Sequence, residues 1–412
     1  MLDRRGFLGT SIAGLGVLGL ASRARAQEGS ASSTPPASSG DPSRRILVVV
    51  QLSGGNDGLN TVVPYADDAY QKARPKLAYG AKDVLRIDDG TGLHPSMKAL
   101  HARYGLGQVA IVQAVGYARP NRSHFRSMAI WHSADTEDGA PRTGWFGRTA
   151  DALDAQGADP AIAVSLASPT PFALQRASAP VLSFDNEEGF TLQPDKRFTQ
   201  GKKAQVEAFR KLCAPVAESA TYADRVRATA ASGIGSADKL LDCLHAGKNR
   251  SNYPRGAGTK LAQVARLIDG GQATRLYYVT TGGYDTHARQ KDAHAGLLAS
   301  LSDGIEAFFD DLEASGRAQD VVLVTFSEFG RRLAENGSQG TDHGTCGPMF
   351  VVGPGVKGGL VGEAPDLAAL VDQDPVARID FRSVYASVVQ SWLGLDATPI
   401  TGAGRPLLPL FA

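Results

Sequence analysis

Five runs of nearly unbroken apolar residues each end or begin beside a small group of acidic, histidine or hydroxyl residues. The runs are ILVVVQL at 46–52, VAIVQAV at 109–115, RLYYVTT at 275–281, VVLVTFS at 321–327 and PMFVVG at 348–353. Runs of this length predict strands that are buried on both faces, as in a parallel sheet covered by helices. Because sites in open α/β sheets collect at the carboxyl ends of the strands, we expect these polar groups to meet at one edge.

The spacing of the runs predicts the fold class. Strand, loop and helix alternate from Arg44 to about residue 149, and amphipathic helices are predicted over 261–271, 294–316 and 381–394. Such alternation favours right-handed crossovers onto a parallel sheet. We therefore expect an α/β fold over 44–412, with a mostly parallel central sheet sandwiched by helices. A helical insertion is predicted at about 195–255, where helix-forming residues occur without chemical clusters.

The first 26 residues are typical of an export signal. A twin arginine, Arg4 and Arg5, precedes an apolar stretch too short to span a bilayer, and ARA at 24–26 gives a small-x-small cleavage site. Residues 27–43, rich in Ser, Pro and Gly, predict a disordered tether. We expect export by the twin-arginine translocase, a periplasmic or secreted location and no stable membrane span after cleavage. A short disordered basic tail or an uncleaved anchor is the alternative.

Charge and cysteine content exclude two classes of protein. The chain holds 43 Lys and Arg residues against 42 Asp and Glu, and no basic stripe alternates with aromatic residues, so we expect no nucleic-acid partner. Three cysteines, Cys213, Cys243 and Cys346, are too few for a disulfide scaffold. Pairing of Cys213 with Cys243 after export and three unpaired thiols both remain open.

Carboxylate and imidazole side chains, which bind divalent metals, flank the apolar runs. Asp57 follows the first run in SGGNDGLN, where glycines let the backbone turn sharply toward an ion, although an ordinary turn is the alternative. Asp285 and His287 alternate in GGYDTH, so both can chelate one ion, unless they are a capping Asp and a surface His. Glu328 leaves a buried strand, which is costly without an arginine or metal beside it. The predicted metal ligands are Asp57, Asp285, His287, Glu328, Asp342 and His343.

Ser123, in PNRSHF, is the predicted nucleophile. A serine needs a base or a metal to lower its pKa. In an extended segment His124 would point away from Ser123, so metal activation is favoured over a Ser–His dyad. Arg122 or Arg331 is expected to bind nonbridging oxygens of a substrate. The alternative is that Ser123 only caps a helix.

Signatures of other hydrolases are missing from the sequence. There is no GxSxG, HExxH or GxxxxGK[ST] motif. Cys213 lacks the arginine of the C-x-P-x-R sequence that sulfatases convert to formylglycine, which disfavours that chemistry.

Eight motifs, in this order, resemble the domain-of-unknown-function 1501 family. They are SGGNDGLNTVVPY, LHPSMKALH, NRSHF, TGWFGR, GGYDTH, FSEFGRR, TDHGT followed by PMFVVGPGVKGG, and DFRSVYASVVQSWLG. The family is similar to the alkaline phosphatase, sulfatase and cofactor-independent phosphoglycerate mutase superfamily. The resemblance implies a mostly parallel sheet between helices, with two divalent metals and a Ser, Thr or Cys nucleophile at the site.

The resemblance also implies roles for single residues. It implies that Asp57 is the metal ligand after the first strand and that Ser123 is the nucleophile. It also implies that Asp285, His287 and His343 bind one metal. Glu328 stands where the superfamily has the Asp of an Asp-His pair that binds the other metal. Two departures occur: the superfamily spaces its Asp and His more widely than DTH, and Phe329 replaces the His expected after Glu328. We expect one or two ions drawn from Zn, Mn, Mg and Ca.

The leading hypothesis is an exported metal-dependent hydrolase of phosphate or sulfate esters, acting on a small-molecule or polymer substrate through Ser123. The second is an exported binding or assembly protein that keeps the fold without catalysis, which Phe329 supports. The third, a metal-independent serine hydrolase, needs His94 or His343 within hydrogen-bond reach of Ser123.

Overall fold

The elements are those of a computed structural model, which describes residues 41–137, 142–155, 159–187, 201–214 and 221–411. The predicted signal at 1–26 and all but the last three residues of the predicted tether lie outside this described part. The strands are β1 (Ile46–Leu52), β2 (Val62–Val63), β3 (Leu85–Arg86), β4 (Gly92–Leu93), β5 (Val109–Gly116), β6 (Ala163–Leu166), β7 (Leu182–Ser183), β8 (Leu276–Thr281), β9 (Val321–Phe326), β10 (Arg331–Glu335), β11 (Thr341–His343), β12 (Gly347–Val352), β13 (Gly359–Val361) and β14 (Ile379–Asp380). The α-helices are α1 (Gly58–Thr61), α2 (Asp68–Ala73), α3 (Lys98–Gly105), α4 (His124–Ser133), α5 (Trp145–Leu153), α6 (Lys202–Cys213), α7 (Tyr222–Ala246), α8 (Ala257–Asp269), α9 (Gln290–Ala314), α10 (Phe381–Ser387) and α11 (Thr398–Thr401).

The five apolar runs form the middle of the main sheet. Within the described residues this sheet has nine strands, in the order β13, β5, β12, β9, β1, β8, β6, β7, with β14 also paired to β5. Its neighbouring strands are parallel except at β12, which is antiparallel to both β5 and β9. The prediction of an α/β fold with a mostly parallel sheet is confirmed.

Helices cover both faces of the sheet, so β1 is buried along its whole length. Val48 and Val50 belong to a core on one face that includes residues of α3, α7, α8 and α9. Leu47 and Val49 belong to the core on the other face, with residues of α4, α5 and α10. Burial of each such side chain contributes about 1.5–3 kcal/mol, which is why a central strand needs an apolar residue at every position.

Two helices, α6 and α7, lie within the region predicted to be a helical insertion. The start of α7 is stabilised by a capping box, in which the side chains of Thr221 and Asp224 each accept a hydrogen bond from the other's backbone N–H. The three cysteines are free thiols. Among the helices of the described ranges, including the 25-residue α7, none has the apolar length needed to cross a bilayer.

Candidate functional site

Segments that leave four parallel strands meet at one edge of the sheet. The strands β1, β5, β8 and β9 run in the same direction, so the loops after them leave the sheet at the same edge. Because β12 runs the opposite way, the segment that enters it starts at that edge too. The hairpin of β10 and β11 precedes β12 and pairs Arg331 with His343. The antiparallel strand therefore brings the TDHGT segment to the loops that follow the parallel strands.

Three donor atoms converge at this edge. The Nε2 atom of His343 lies 3.1 Å from Oδ1 of Asp285 and 2.9 Å from Nε2 of His287. The same His287 nitrogen lies 3.1 Å from Oδ1 of Asp285. These atoms form the centre of a group that we call the imidazole–carboxylate cluster, which consists of His124, Asp285, His287, Glu328, Asp342 and His343.

Two glycines allow these segments to approach so closely. Gly54 has a φ of +124°, and a Cβ at this position would collide with the backbone nitrogen of Asp285. A Cβ at Gly340 would collide with the carbonyl group of His287. Only glycine, which lacks a Cβ, permits both contacts.

His124 reaches the cluster from a different strand. It is the first residue of α4, and its Nδ1 lies 2.9 Å from Oε1 of Glu328. Its Nε2 lies 3.5 Å from Oδ2 of Asp285. Donor atoms of His124, Asp285 and His343 all lie within 4.8 Å of one another. His124 is not among the predicted ligands, although its position beside the predicted nucleophile was an available signal.

Glu328 is buried and has partners within the protein. Only 1% of its side chain is exposed, and its Oε1 accepts a hydrogen bond of 2.9 Å from the backbone N–H of Gly54 in addition to the contact with His124. Phe329 packs against the rings of His124 and His343, with centroids 4.9 and 4.6 Å apart. At the position where the resemblance implies a histidine, the chain therefore has an apolar wall.

Asp342 orients His287 within the cluster. Its Oδ1 lies 3.2 Å from Nδ1 of His287, and the Asn336 side chain donates to the same oxygen at 3.1 Å. The hydrogen bond from Asn336 and then that with His287 lower the pKa of Asp342. A carboxylate on one imidazole nitrogen leaves the other nitrogen to face a metal, which is the usual way that such histidines are held.

Arg331 keeps Asp285 ionised. Burial acts to raise the pKa of Asp285, but the hydrogen bonds with Arg331 and His343, together with the charges of Arg331 and His287, lower it to about 2. The side chain of Arg331 is completely buried and donates to Asp285 at 2.7 Å and to the carbonyl oxygens of Gly55 and Thr341 at 2.6 and 2.7 Å. It is thus fully engaged by the protein rather than free for a substrate.

The central donor atoms fit a divalent cation. A tetrahedral zinc ion with bonds of about 2.0–2.1 Å has neighbouring ligand atoms about 3.3 Å apart. The three atoms of Asp285, His287 and His343 are separated by 2.9–3.1 Å. Facing lone pairs on two imidazoles and a carboxylate repel one another unless a proton or a cation lies between them. The residues present therefore fit one ion, with His124 as a further donor.

Ser123 is held beside the cluster by its sequence neighbours. The carbonyl oxygen of Arg122 is 2.8 Å from Nδ1 of His343, and His124 contacts Glu328 as described. The Ser123 N–H donates to the side chain of Asn121 at 2.8 Å. Ser123 is exposed and occupies the N-cap position of α4, but its hydroxyl makes no capping hydrogen bond. Ser123 thus lies between two residues that contact the cluster, and its hydroxyl is not tied to the helix.

Asp57 lies apart from the cluster, in what we call the buried Asp57–Arg74 network, formed by Asp57, Asn60, Arg74 and Gln290. The Nη1 of Arg74 is 2.6 Å from Oδ2 of Asp57 and 2.8 Å from Oδ1 of Asn60, and both charged side chains are 0% exposed. Gln290 donates to the same Asp57 oxygen. Burial acts to raise the pKa of Asp57, but the charge and hydrogen bond of Arg74 lower it. The predicted ligand role of Asp57 stays a prediction, without a contact to the cluster among the described residues.

Gln290 connects the network to the chain segments that carry the cluster. Its Oε1 accepts hydrogen bonds from the hydroxyls of Thr286, at 3.0 Å, and Thr341, at 2.6 Å. Thr286 lies between Asp285 and His287, and Thr341 precedes Asp342. The buried amide therefore fixes the distance between the two segments.

Two further histidines near this network are buried and neutral. His294 bonds to Oδ1 of Asn56 at 2.8 Å, and His94 bonds to the hydroxyl of Tyr79 at 2.8 Å. Burial lowers the pKa of His294 to about 4 and that of His94 to about 3. Both histidines therefore make hydrogen bonds within the protein interior, and neither belongs to the imidazole–carboxylate cluster.

The guanidinium of Arg122 contacts a buried acidic residue, and its predicted role in binding substrate oxygens stays a prediction. Its Nε donates to Oδ2 of Asp374 at 2.7 Å, and Asp374 is 1% exposed. The pair lines a cleft of about 660 Å³ together with Arg119, Thr345 and Arg378. Arg122 precedes Ser123 and Thr345 lies two residues after His343, so two residues of the cleft wall belong to segments that carry the candidate site.

The fold and this site define an α/β protein with a candidate divalent-cation site at the carboxyl edge of a mostly parallel sheet. The family model described as "Protein of unknown function (DUF1501)" matches residues 44–404, and the chain belongs to this family. No curated protein matches the chain.

Three solved structures illustrate the similarity at low sequence identity. The lipoteichoic acid synthase LtaP from Listeria monocytogenes has 9% identity and a TM-score of 0.37, with 89% of this chain and 74% of that chain covered. A protein in the alkaline phosphatase superfamily from Vibrio parahaemolyticus has 9% identity and a TM-score of 0.39, covering 89% and 71%. The phosphonate monoester hydrolase SpPMH from Silicibacter pomeroyi has 10% identity and a TM-score of 0.37, covering 88% and 76%. Similarity at this level leaves the activity of the chain to be argued from its own residues.

Proposed function

We propose that the protein is an exported metal-dependent hydrolase of phosphate or sulfate esters, with Ser123 as the nucleophile. The observation that carries this proposal is the convergence of donor atoms from Asp285, His287 and His343 within 2.9–3.1 Å of one another, beside an exposed serine.

The cation would be held by Asp285, His287 and His343, with His124 as a further donor. Three imidazoles favour zinc or manganese over magnesium or calcium. When bound, a divalent cation lowers the pKa of a nearby hydroxyl and neutralises charge on the oxygens of the ester group. Asp57 is left out of this ligand set because it is 0% exposed and no contact joins it to the donor atoms of Asp285, His287 and His343 among the described residues.

Ser123 would attack the phosphorus or sulfur atom and displace the alcohol, and water would then hydrolyse the serine ester. The contacts of Arg122 and His124 hold the serine backbone, so that its hydroxyl is positioned while free to react. The first N–H groups of α4 have no partner within the helix and favour negative charge at this point. The cleft lined by Arg122 and Thr345 would receive the alcohol part of the ester.

The test is turnover of aryl phosphates, phosphodiesters and aryl sulfates by the metal-loaded protein and by Ser123→Ala. We expect hydrolysis of one of these classes, its loss in Ser123→Ala and its loss with a chelator. Ser391→Ala, at an exposed serine far along the chain, serves as the matched control and should leave the rate unchanged. Turnover that survives both Ser123→Ala and chelation would contradict the mechanism.

A non-catalytic binding or assembly protein is the second candidate, and Phe329 is the observation that favours it. Its ring occupies the place implied for a histidine and lies against two histidines of the cluster. This candidate predicts stoichiometric metal without turnover of any ester. The metal-independent serine hydrolase gains no such support, because His94 is buried against Tyr79 and both nitrogens of His343 already have partners.

Export by the twin-arginine pathway is the remaining part of the proposal, and it rests on the sequence of residues 1–26. Secretion of the protein with Gln27 at its N-terminus, shown by mass spectrometry, is the expected result. Replacement of Arg4 and Arg5 by lysine should leave the protein inside the cell, whereas unaltered export would contradict this pathway.

A further inference from the structure

Large apolar side chains are exposed on the two helices of the insertion, α6 and α7. The described part of the chain has nine exposed large apolar residues, and four of them belong to this helix pair. They are Phe209, which is 45% exposed, Leu212 at 69%, Tyr222 at 82% and Val226 at 51%. Single exposed apolar residues are common on proteins, but several on neighbouring helices indicate a surface that another molecule covers.

One side of α7 is buried at the C-terminal end of the helix and exposed at the N-terminal end. Leu240 and Leu244 are 0% exposed and belong to the same core as residues of α8 and α9. Tyr222 precedes Leu240 by eighteen residues, and Val226 precedes Leu244 by the same number. Eighteen residues make five complete turns of about 3.6 residues, so these side chains lie on one side of the helix. The domain therefore covers this side of α7 only near its C-terminus.

The exposed side chains of α6 belong to a helix that is tied to α7. The guanidinium of Arg210 donates hydrogen bonds of 2.6 and 2.8 Å to the carboxylate of Asp238 in α7. Phe209 precedes Arg210, and Leu212 lies three residues after Phe209, which makes the two apolar side chains neighbours on the helix surface. Both helices thus leave apolar side chains uncovered.

The same helices carry an excess of positive charge. Residues 201–236 hold six Lys and Arg residues against three Asp and Glu, whereas the whole chain is nearly balanced at 43 against 42. Lys203, Lys211 and Arg225 are exposed and make no ion pair among the described residues. The set that we call the insertion surface consists of Lys203, Phe209, Lys211, Leu212, Tyr222, Arg225 and Val226.

The insertion surface combines exposed apolar side chains with unpaired cations, and this combination selects the kind of partner. A second copy of the chain would bring the same positive charge against it, which is unfavourable. A bilayer that contains anionic phospholipids offers an apolar layer for the apolar side chains and negative headgroups for the cations. Tyrosine suits the boundary of such a layer because its ring is apolar and its hydroxyl is polar.

We propose that the insertion surface binds the surface of a membrane that contains anionic phospholipids, without crossing it. The inference goes beyond the proposed hydrolysis and does not depend on it, because no residue of the insertion surface belongs to the imidazole–carboxylate cluster. Such binding would hold the domain at the membrane after export.

The experiment measures co-sedimentation of the protein with lipid vesicles. It uses residues 27–412, the chain expected after cleavage at Ala26, which includes the whole family match. Residues 1–26 are left out because four arginines beside an apolar stretch would bind lipid by themselves. We expect binding to vesicles of phosphatidylglycerol mixed with phosphatidylcholine and none to vesicles of phosphatidylcholine alone. Binding should weaken at high salt.

Two variants test the apolar part of the insertion surface. We expect the vesicle affinity to fall several-fold in Leu212→Ser and about tenfold or more in the double variant Tyr222→Ser, Val226→Ser, because each removes apolar area that the bilayer would bury. Leu106→Ser is the matched control, since Leu106 is 71% exposed at the end of α3, and it should bind like the native protein.

Charge reversal tests the basic part of the insertion surface. Arg225→Glu should weaken binding to the anionic vesicles about tenfold, since a basic residue at the surface of an anionic membrane contributes about 1 kcal/mol and the reversal adds repulsion. Lys82→Glu, at an exposed position before β3, is the control and should bind like the native protein.

The Tm is recorded for every variant and should change little, because the substituted side chains are exposed. The inference would be overturned by equal binding to both kinds of vesicle, by binding to neither, or by native-like binding of both apolar variants. A native protein that sediments as a dimer, with Leu212→Ser a monomer, would also overturn it, because a second copy would then cover the insertion surface.

Discussion

The imidazole–carboxylate cluster and the buried Asp57–Arg74 network use similar residues at the same edge of the sheet, yet they differ in how their charges are satisfied. In the network, Arg74 and Asp57 are both 0% exposed and the guanidinium also donates to Asn60 and to two backbone carbonyls. In the cluster, side chains of His287 and Asp285 are 44% and 46% exposed. In the network Oδ2 of Asp57 is paired with Arg74 and Gln290, while its Oδ1 is buried without a hydrogen-bond partner among the described residues. In the cluster, by contrast, imidazole and carboxylate donor atoms of different side chains face one another.

This difference shows why a carboxylate after a buried strand is not by itself a metal ligand. A buried carboxylate needs a positive partner, and an arginine meets that need as well as a cation does. Asp57 has Arg74 and Asp285 has Arg331, but only Asp285 also faces two imidazoles, those of His287 and His343, whose Nε2 atoms are 2.9 Å apart. We therefore expect the imidazole–carboxylate cluster to bind a cation, and the Asp57–Arg74 network to stabilise the fold. Four predictions test this contrast.

Replacement of His343 by alanine removes a central donor of the cluster. We expect the affinity for zinc or manganese to fall by about 100-fold or more, because even supporting residues around metal ligands contribute 10–100-fold. Metal titration with a competing chelator measures this. The exposed His245 provides the control, and His245→Ala should bind metal like the native protein. Unchanged affinity in His343→Ala would remove the cluster as the metal site.

Replacement of Asp57 by alanine leaves Arg74 buried without its partner. The expected loss is about 3–5 kcal/mol in the free energy of unfolding, measured with urea, while the metal stoichiometry stays the same. Asp292→Ala, at an exposed position of α9, should cost much less. A variant that is stable but has lost an ion would instead place Asp57 among the ligands.

Acidification should weaken the protein through its buried histidines. Burial lowers the pKa of His294 to about 4, so the folded protein keeps this imidazole neutral while the unfolded chain takes up a proton below about pH 6.5. The contribution of His294 to the free energy of unfolding is complete above pH 6.5. It is lost as the pH falls toward 4, by about 1.4 kcal/mol per pH unit.

Urea unfolding from pH 7 to 5, with chelator present to silence the metal site, measures this slope. His294→Gln should show a shallower dependence than the native protein. Equal slopes in the two proteins would mean that His294 is not held neutral by the fold.

The smallest effect is expected at the link between the two regions. Thr341→Val removes the 2.6 Å hydrogen bond to Gln290, whose Oε1 still accepts from Thr286. We expect a loss of about 1 kcal/mol in the free energy of unfolding and little change in metal affinity. A large loss of metal affinity would show that the distance Gln290 sets between the two segments determines metal binding by the cluster. The network and the cluster would then act as one functional unit.

Much of the fold was predictable from hydrophobic pattern alone. The run at 46–52 became β1 with the same bounds, and those at 109–115 and 321–327 differ from β5 and β9 by one residue at the end. A run of consecutive apolar residues is stable only where both faces of the strand are buried. The positions of the central strands therefore followed from these runs. The pattern does not specify strand order, and the antiparallel insertion of β12 between β5 and β9 was not predicted.

The candidate site was predictable in part. Asp285, His287, Asp342, His343 and Glu328 come together as their positions beside the apolar runs suggested. The structure adds His124 to them and gives Asp57, Arg122 and Arg331 other partners. The partner of each polar side chain depends on which other segment the fold brings next to it. Asp57, for example, contacts Arg74, which is seventeen residues away in the chain.

The sequence by itself determined the layered α/β class, the position of its central strands and the set of polar residues at their ends, because burial imposes a local pattern on the chain. Only the tertiary structure decided which of those residues are enclosed with a buried arginine and which bring imidazole and carboxylate atoms face to face. That choice depends on distances of a few ångströms between segments far apart in the chain, and electrostatic energy changes steeply over such distances.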